Sequence, residues 1–346
     1  MTTIYDVATE ARVSAATVSR VLNGTTEVSP ELQTRVREAI DRLGYRPNSV
    51  ARSLRRRRSA VWGLVISDIE NPFFTAMVRG VEDVAQSSGF SVVLCNSDED
   101  AEKEARYIDV FVDERMAGAI VSPASEQDSD VSALLDRGIP VVSIDRRLRR
   151  QDVDTVLVDN RLGAERATAH MLETGRRRVA CIGGLARTTT GQERTEGYRQ
   201  ALATAGIAVD PQLVLEGDFK QEGGHAAMER LLALPEPPDG VFVANNLMSL
   251  GAVEALREAG TDVPGALAVA MFDDPAWAAL VRPALTTVAQ PTYEMGQEAA
   301  VLLSARIRGD DGPTRRVVLA PSIHLRESTA APSRRPPAAA GAPTPR

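Results

Sequence analysis

The chain has 346 residues, 43% hydrophobic and 25% charged, enough for two to three domains with real hydrophobic cores. Its longest unbroken apolar stretch, Gly265 to Phe272, falls far short of the roughly 18–20 residues of a spanning helix, which excludes a membrane protein. The formal charge of −7, read as a whole, speaks against a nucleic-acid partner.

The first eleven residues, MTTIYDVATEA, carry acid and no apolar segment, unlike a signal peptide, and two cysteines, Cys95 and Cys181, do not make a secreted disulfide scaffold. The expected compartment is therefore the cytoplasm. The charge is also unevenly distributed. Residues 1–60 hold eleven arginines against six acids, a net +5, which leaves −12 on the remainder. A basic N-terminal module joined to an acidic one invites a DNA-binding hypothesis. The run Arg55 to Arg58 reads equally well as a solvated linker, because arginine is abundant throughout and lysine occurs only at positions 103 and 220.

Thr3 caps a first predicted helix running to about Ala11, with Asp6 in its first turn. Ser14 caps a second, Ala15 to Leu22, which Asn23-Gly24 can close in a left-handed conformation. Ser29-Pro30 opens a third, with Leu32, Val36, Ala39, Ile40 and Leu43 on one face and Gly44 as its stop. Three short helices in fewer than fifty residues make a helix-turn-helix unit. Its second helix offers Ala15, Ala16, Thr17, Ser19 and Arg20 to the major groove, Arg20 as a bidentate donor for guanine, and Ser14 can donate to phosphate.

From Val61 onward, short apolar runs alternate with amphipathic helices. Five strands are predicted between Val61 and Asp159 and five more between Arg178 and Gln290, with Gly89, Gly138, Gly175, Gly206 and Gly260 ending helices. That alternation specifies two doubly wound lobes with parallel sheets covered on both faces. No G-x-G-x-x-G follows the first strand, so a dinucleotide cofactor is not expected. Ligands of open α/β sheets bind outside the carboxyl ends of the strands. There stand Asn71, Phe73, Phe74, Asp145, Arg146, Phe219, Asn245, Asp273 and Gln290, with Arg194 on the helix after the Arg178 strand. Planar carboxylate, amide and guanidinium groups each bond two neighbouring hydroxyls, and phenylalanine faces cover the C–H surface of a sugar ring. This composition suits a small polyol.

His170, His225 and His324 are scattered, with no H-x-x-x-H or C-x-x-C spacing, so no metal site is expected. Cys95 and Cys181 fall on predicted strands as core residues. Asp98 to Asp100 read as a solvated loop, and Asp273-Asp274 lack a histidine nearby in sequence, so catalysis is disfavoured.

The strings Ile4-Tyr5-Asp6-Val7-Ala8, Val13-Ser14-x-x-Thr17-Val18-Ser19-Arg20-Val21-Leu22-Asn23, Tyr45-Arg46-Pro47-Asn48 and Ala51-Arg52-Ser53-Leu54 resemble the lactose-repressor (LacI/GalR) family. The second part, through Val158-Asp159-Asn160, Arg194-x-x-Gly197-Tyr198, Ala244-Asn245-Asn246, Phe272-Asp273-Asp274 and Leu285-Thr286-Thr287-Val288, is similar to the family's effector core and, behind it, to the type I periplasmic sugar-binding fold. Together the resemblances cover residues 3 to about 326. They imply that Tyr5, Ser14, Ala15, Ala16, Thr17, Ser19, Arg20 and Asn23 face DNA, and that Asn48 to Leu54, with Ala51 and Arg52, form a hinge helix whose Leu54 wedges a central base step open through the minor groove. The ten strand-end residues look like the contact set of the ribose-binding members, which makes ribose or a close pentose the first expectation for the effector. Three features depart from the family pattern: Arg12, where glycine is frequent in the turn; Asn246, where aspartate is more usual; and the long Arg146-Arg147-Leu148-Arg149-Arg150 loop.

The expected architecture is thus a small all-α helix-turn-helix domain at residues 1–47, a hinge helix and basic linker at 48–59, and a two-lobed periplasmic-binding-protein-like core at 60–327. The N-lobe takes about 60–159 and 291–320, and the C-lobe about 160–290. A tail at 328–346, rich in Ala, Pro and Arg with no heptad pattern, is expected to be disordered. The expected function is a sequence-specific repressor of carbohydrate-utilisation genes, a homodimer on a pseudo-palindromic double-stranded operator, released by a small sugar and needing no cofactor. The alternatives are a regulator whose purine, nucleoside or other effector acts as co-repressor and, from another class, a sugar-binding transport component or a sugar-converting enzyme.

Overall fold

The computed structural model describes residues 2–22, 28–45 and 59–331, and the chain divides into two compact units, Met1–Ser59 and Ala60–Arg346. In the first unit, α1 (Ile4–Glu10) begins with a capping box in which Thr3 and Asp6 satisfy each other's backbone N–H. Helix α2 (Ala15–Leu22) starts at Ser14, whose Oγ accepts from Thr17 N at 3.1 Å. Helix α3 (Pro30–Leu43) has proline in its first turn and ends at Gly44 with φ 57. Its expected cap fails in one respect: Ser29 makes no side-chain cap bond, and the entry rests on the proline's preset φ. Val7, Val18 and Val36, one from each helix and all fully buried, form the centre of this unit.

The second unit contains two six-stranded sheets. One has the order β2-β1-β3-β4-β5-β11, with β1 Val61–Ile66, β2 Ser91–Asn96, β3 Gly118–Val121, β4 Val141–Ile144, β5 Asp154–Val158 and β11 Arg316–Leu319, all parallel. The other has the order β7-β6-β8-β9-β10-β12, with β6 Val179–Gly183, β7 Val214–Glu216, β8 Gly240–Val243, β9 Ala268–Phe272, β10 Thr286–Ala289 and β12 Ser322–His324. The two share one winding, and in each the strand order reverses beside the first strand of the lobe, where a ligand crevice opens. The chain crosses between lobes after β5, after β10 and between β11 and β12. The lobes are thus hinged by three strands of backbone.

Three expectations need correction. The sheets gain β11 and β12, which the apolar pattern does not reveal because β11 alternates exposed with half-buried residues and β12 is three residues long; β12 runs antiparallel to β10. Strand β2 is an edge strand with Val93 and Leu94 exposed, so it is not covered on both faces, and Cys95 on it is only half-buried while Cys181 is buried. The chain is also ordered past residue 328. Ser328 and Thr329 are fully buried, Ser328 Oγ donating to Val269 O at 2.6 Å and Thr329 Oγ1 bonding Thr286 Oγ1 at 2.7 Å and His170 Nε2 at 2.9 Å. Burial of these hydroxyls in fully bonded positions holds the segment against the entropy of a tail. Residues 332–346 lie outside the described residues.

Helices α4 (Pro72–Ser87) and α11 (Thr292–Ile307) pack together over one face of the N-lobe sheet. Their backbones approach so closely that a Cβ at Gly80 would lie 2.2 Å from Tyr293 O, and one at Gly296 2.1 Å from Met77 O. Backbone on both sides leaves no flexible side chain to yield. Gly80→Ala is therefore expected to destabilise the core by about 2–3 kcal/mol, visible as a lowered unfolding midpoint of the full-length chain; an unchanged midpoint would show that the helices can separate without cost.

Candidate functional site

On the N-terminal unit, α2 turns Val18 into the core and leaves Ala16 and Arg20, four residues apart and so on one face, exposed. Ala15, Thr17 and Ser19 are half-buried beside them, and Tyr5 on α1 is 72% exposed. Ser14 and Thr17 share a hydroxyl bond of 2.9 Å, so Ser14 reaches a phosphate with its own proton when Thr17 is the donor. Arg12 adopts φ 49 in the turn between α1 and α2, a left-handed conformation that glycine takes without strain. Arg35 supports that turn by donating to Ala11 O at 2.5 Å and Arg12 O at 3.4 Å. Asn23, Asn48, Ala51, Arg52 and Leu54 lie outside the described residues.

In the two-lobed unit, all ten predicted strand-end residues line one cavity, together with Asp68, Glu99 and Thr190. Each is placed by local structure. Asn71 caps α4, its Oδ1 accepting from Phe73 N at 2.9 Å, and the helix start then presents Phe73 and Phe74 edge to face with ring centroids 5.0 Å apart. Asn245 caps α10 (Asn246–Glu258) through Met248 N at 2.9 Å and donates to Phe219 O at 3.1 Å. Arg194 projects from the second turn of α8 (Thr189–Thr204), stacked on Phe272 at 3.8 Å, with Nε on Asn160 Oδ1 at 2.8 Å and Nη1 on Ala244 O at 2.6 Å. Asp145, Phe219 and Asp273 adopt φ of 67, 65 and 72. Such positions cost non-glycine residues free energy and cluster where side chains are aimed for function.

Polar bonds tie the lobes at this cavity. Asn246 Nδ2, from the C-lobe, donates to Asn71 Oδ1 at 2.8 Å and to Asp273 Oδ2 at 3.0 Å, and Gln290 Nε2 donates to Asp273 Oδ1 at 2.6 Å. An aspartate at 246 would set a carboxylate against two acceptors, so the amide found there fits where the acid would not. Lys220 Nζ reaches across to Asp68 Oδ2 at 2.7 Å. Asp68 and Glu99 line the cavity and Asn160 holds Arg194, none of them singled out as a site residue in sequence, and the expectation of a solvated loop at Asp98 to Asp100 fails at Glu99, whose side chain is buried. The first two also follow strand ends, β1 and β2, so the same census of strand termini reaches them.

Burial dominates the electrostatics. It pushes the Asp145 carboxyl up to about 6, against the opposing pull of Arg146 and Arg194, and it lowers Arg194 below the ordinary guanidinium value. Arg146, equally buried, is nevertheless held above that value by Glu99. Between pH 4 and 6 native Asp145 keeps a proton that the unfolded chain releases, so folded stability falls as pH rises across this window and levels off above it. At about 1.4 kcal/mol per unit, Asp145→Asn is expected to recover about 3 kcal/mol near pH 7 and to flatten the profile between pH 4 and 6. Parallel pH profiles of thermal unfolding in the two proteins would refute this.

Among the described residues no helix is long and apolar enough to cross a membrane, and no group of three or more His, Cys, Asp or Glu is placed to hold a metal. Residues 3–48 match the lacI family of bacterial regulatory proteins and residues 168–329 the periplasmic binding protein-like domain. Catabolite control protein A of Priestia megaterium is 34% identical over 328 residues, spanning 94% of this chain and 99% of that protein. The ribose operon repressor of Halalkalibacterium halodurans is 36% identical over 329 residues, spanning 95% and 97%. The crystal structure of the lac repressor dimer bound to operator and the anti-inducer ONPF is 25% identical and superposes with a TM-score of 0.86, covering 95% of this chain and 99% of that one. With similarity of this degree running nearly end to end, the chain belongs to the LacI family and is a DNA-binding transcriptional regulator, not an enzyme.

Proposed function

We propose that this regulator represses carbohydrate-utilisation genes from a pseudo-palindromic operator and leaves it when a small neutral sugar, ribose or a related pentose, fills the cavity between the lobes. The observation that carries this reading is the convergence of ten polyol-recognising side chains on one cavity. The carboxylates of Asp145 and Asp273, the amides of Asn71, Asn245 and Gln290 and the guanidinium groups of Arg146 and Arg194 can each bond vicinal hydroxyls, while Phe73, Phe74 and Phe219 cover the C–H faces. The likeness to a ribose operon repressor favours the pentose. The likeness to a repressor dimer on operator favours a homodimer that presents two readers to two half-sites, and a DNA target favours the cytoplasm.

In this reading the sugar binds one arrangement of the lobes better than another, and the hinge after residue 47 carries that difference to the operator. Linkage then requires operator DNA to weaken sugar binding by the factor by which sugar weakens DNA binding. Arg20, exposed on α2, reads a base edge.

A thermal-shift screen of pentoses, hexoses, polyols and nucleosides tests the effector class, because a ligand at one hundred times its Kd adds about 2.7 kcal/mol to the folded state. Stabilisation by a nucleoside and by no sugar would replace the inducer reading with the co-repressor one. Arg194→Ala is expected to abolish the effector response while operator binding persists; a variant still induced normally would place the site elsewhere. Arg20→Ala is expected to cost about 1–3 kcal/mol at the specific operator, and unchanged affinity in a gel-shift titration would remove it from base readout.

A further inference from the structure

Glu99 follows β2 in a segment whose acids read, in sequence, as a solvated loop. Its side chain is instead 8% exposed and lines the cavity. It grips Arg146 with both oxygens, Oε2 to Nη1 at 2.6 Å and Oε1 to Nη2 at 2.7 Å, a bidentate pairing that fixes the guanidinium plane. Nη1 also donates to Pro123 O at 3.0 Å, and the remaining Nε lies 3.5 Å from Asp145 Oδ2. Both Nη atoms of Arg146 thus have partners on the protein while Nε makes no hydrogen bond, and the charge of the guanidinium is matched by Glu99. Glu99 is itself held in place from the C-lobe, where Arg187 Nη2 donates to its carbonyl at 3.0 Å.

The rest of the lining repeats the theme. Four acids, Asp68, Glu99, Asp145 and Asp273, surround two arginines, Arg146 and Arg194, and the nearest lysine, Lys220, is already engaged with Asp68. An anionic ligand entering this space would meet an excess of carboxylates, and the charge of Arg146 is already matched by Glu99. A neutral polyol loses nothing by that arrangement, because hydroxyls can donate to the carboxylates as well as accept from the arginines.

We propose that Glu99 is a specificity-determining residue which, by occupying Arg146, sets the cavity for uncharged sugars and shuts out phosphorylated and carboxylated ones. The inference rests on the reading of the cavity as the effector site. Selectivity built in this way is a matter of what the site refuses, and it lies in the balance of charge at Arg146 rather than in the shape of the cavity.

The test is calorimetric titration of full-length wild type and Glu99→Gln with D-ribose, D-ribose 5-phosphate and inorganic phosphate at neutral pH. Glutamine keeps the size of the side chain and removes its charge, so Arg146 becomes available to an anion. The expected result is that wild type shows no saturable phosphate binding, whereas the variant binds both phosphates and shifts its preference from ribose toward ribose 5-phosphate by about tenfold or more. An unchanged preference, or phosphate binding equally to both proteins, would overturn the proposal. A wild type that ignores D-ribose counts against ribose as effector, and the inorganic phosphate comparison still decides the role of Glu99. A buried cation stripped of its partner destabilises a fold. If Glu99→Gln is unfolded alone, recovery of its folded state in phosphate is the expected gain, and failure to recover counts against the proposal. The double variant Glu99→Gln, Arg146→Met, which retains neither charge, is expected to fold and to ignore phosphate; a phosphate response in it would assign the anion to another group.

Discussion

Two guanidinium groups buried between hinged lobes constrain most of what surrounds them. A buried charge must be compensated by partners on the protein, and the two arginines meet that demand differently. Arg146 is matched by Glu99 and approached by Asp145, while Arg194 relies on the neutral oxygens of Asn160 and Ala244, the face of Phe272 and the more distant fields of Asp145 and Asp273. The bonded partners of each arginine come from its own lobe, and the bonds that couple the lobes beside them are those of Asn246 to Asn71 and of Lys220 to Asp68. A ligand that inserts hydroxyls into this network acts directly on the bonds that hold the lobes together.

The backbone shows where the aiming occurs. Asp145 and Asp273 follow β4 and β9, the same place in the two windings, Phe219 follows the edge strand β7, and each takes a left-handed conformation that a non-glycine residue does not favour. Such residues persist only where the surroundings over-determine them. Each of the three is buried and lines the cavity, so the strain coincides with the site and is held by the sheets behind it. The raised carboxyl of Asp145 belongs to the same balance: the position is fixed by the fold, which accepts a poorly solvated acid there.

The N-terminal unit obeys a different economy. Among the described residues its core is three fully buried valines with buried alanines and half-buried side chains such as Ile4, Leu22, Ile40 and Leu43 around them, near the lower limit for a domain that folds alone, and its order is helped by the capping box at Thr3, proline at the start of α3 and the Arg35 bonds across the turn. The charge follows this division. The +5 of the first sixty residues belongs to the reader, and the −12 of the rest to a core whose function needs no attraction to DNA.

The sequence by itself determined the elements and the list of strand-end side chains. Caps, glycines and apolar periodicity are local signals, so the three N-terminal helices and ten of the twelve strands could be read from neighbouring residues. The ten cavity residues were legible for a related reason: in a doubly wound sheet, position after a strand end already implies proximity to the crevice. Tertiary structure alone decided what those residues do to one another. Nothing within a few positions of Glu99 shows that it pairs with a residue 47 positions away, nothing near Asn246 shows that its amide bridges Asn71 and Asp273, and the burial of Ser328 and Thr329 depends on β9 and β10 being in place to receive them. Pairing of buried charges and hydroxyls is a long-range property, set by which strand ends the fold brings together and by how completely it removes them from water.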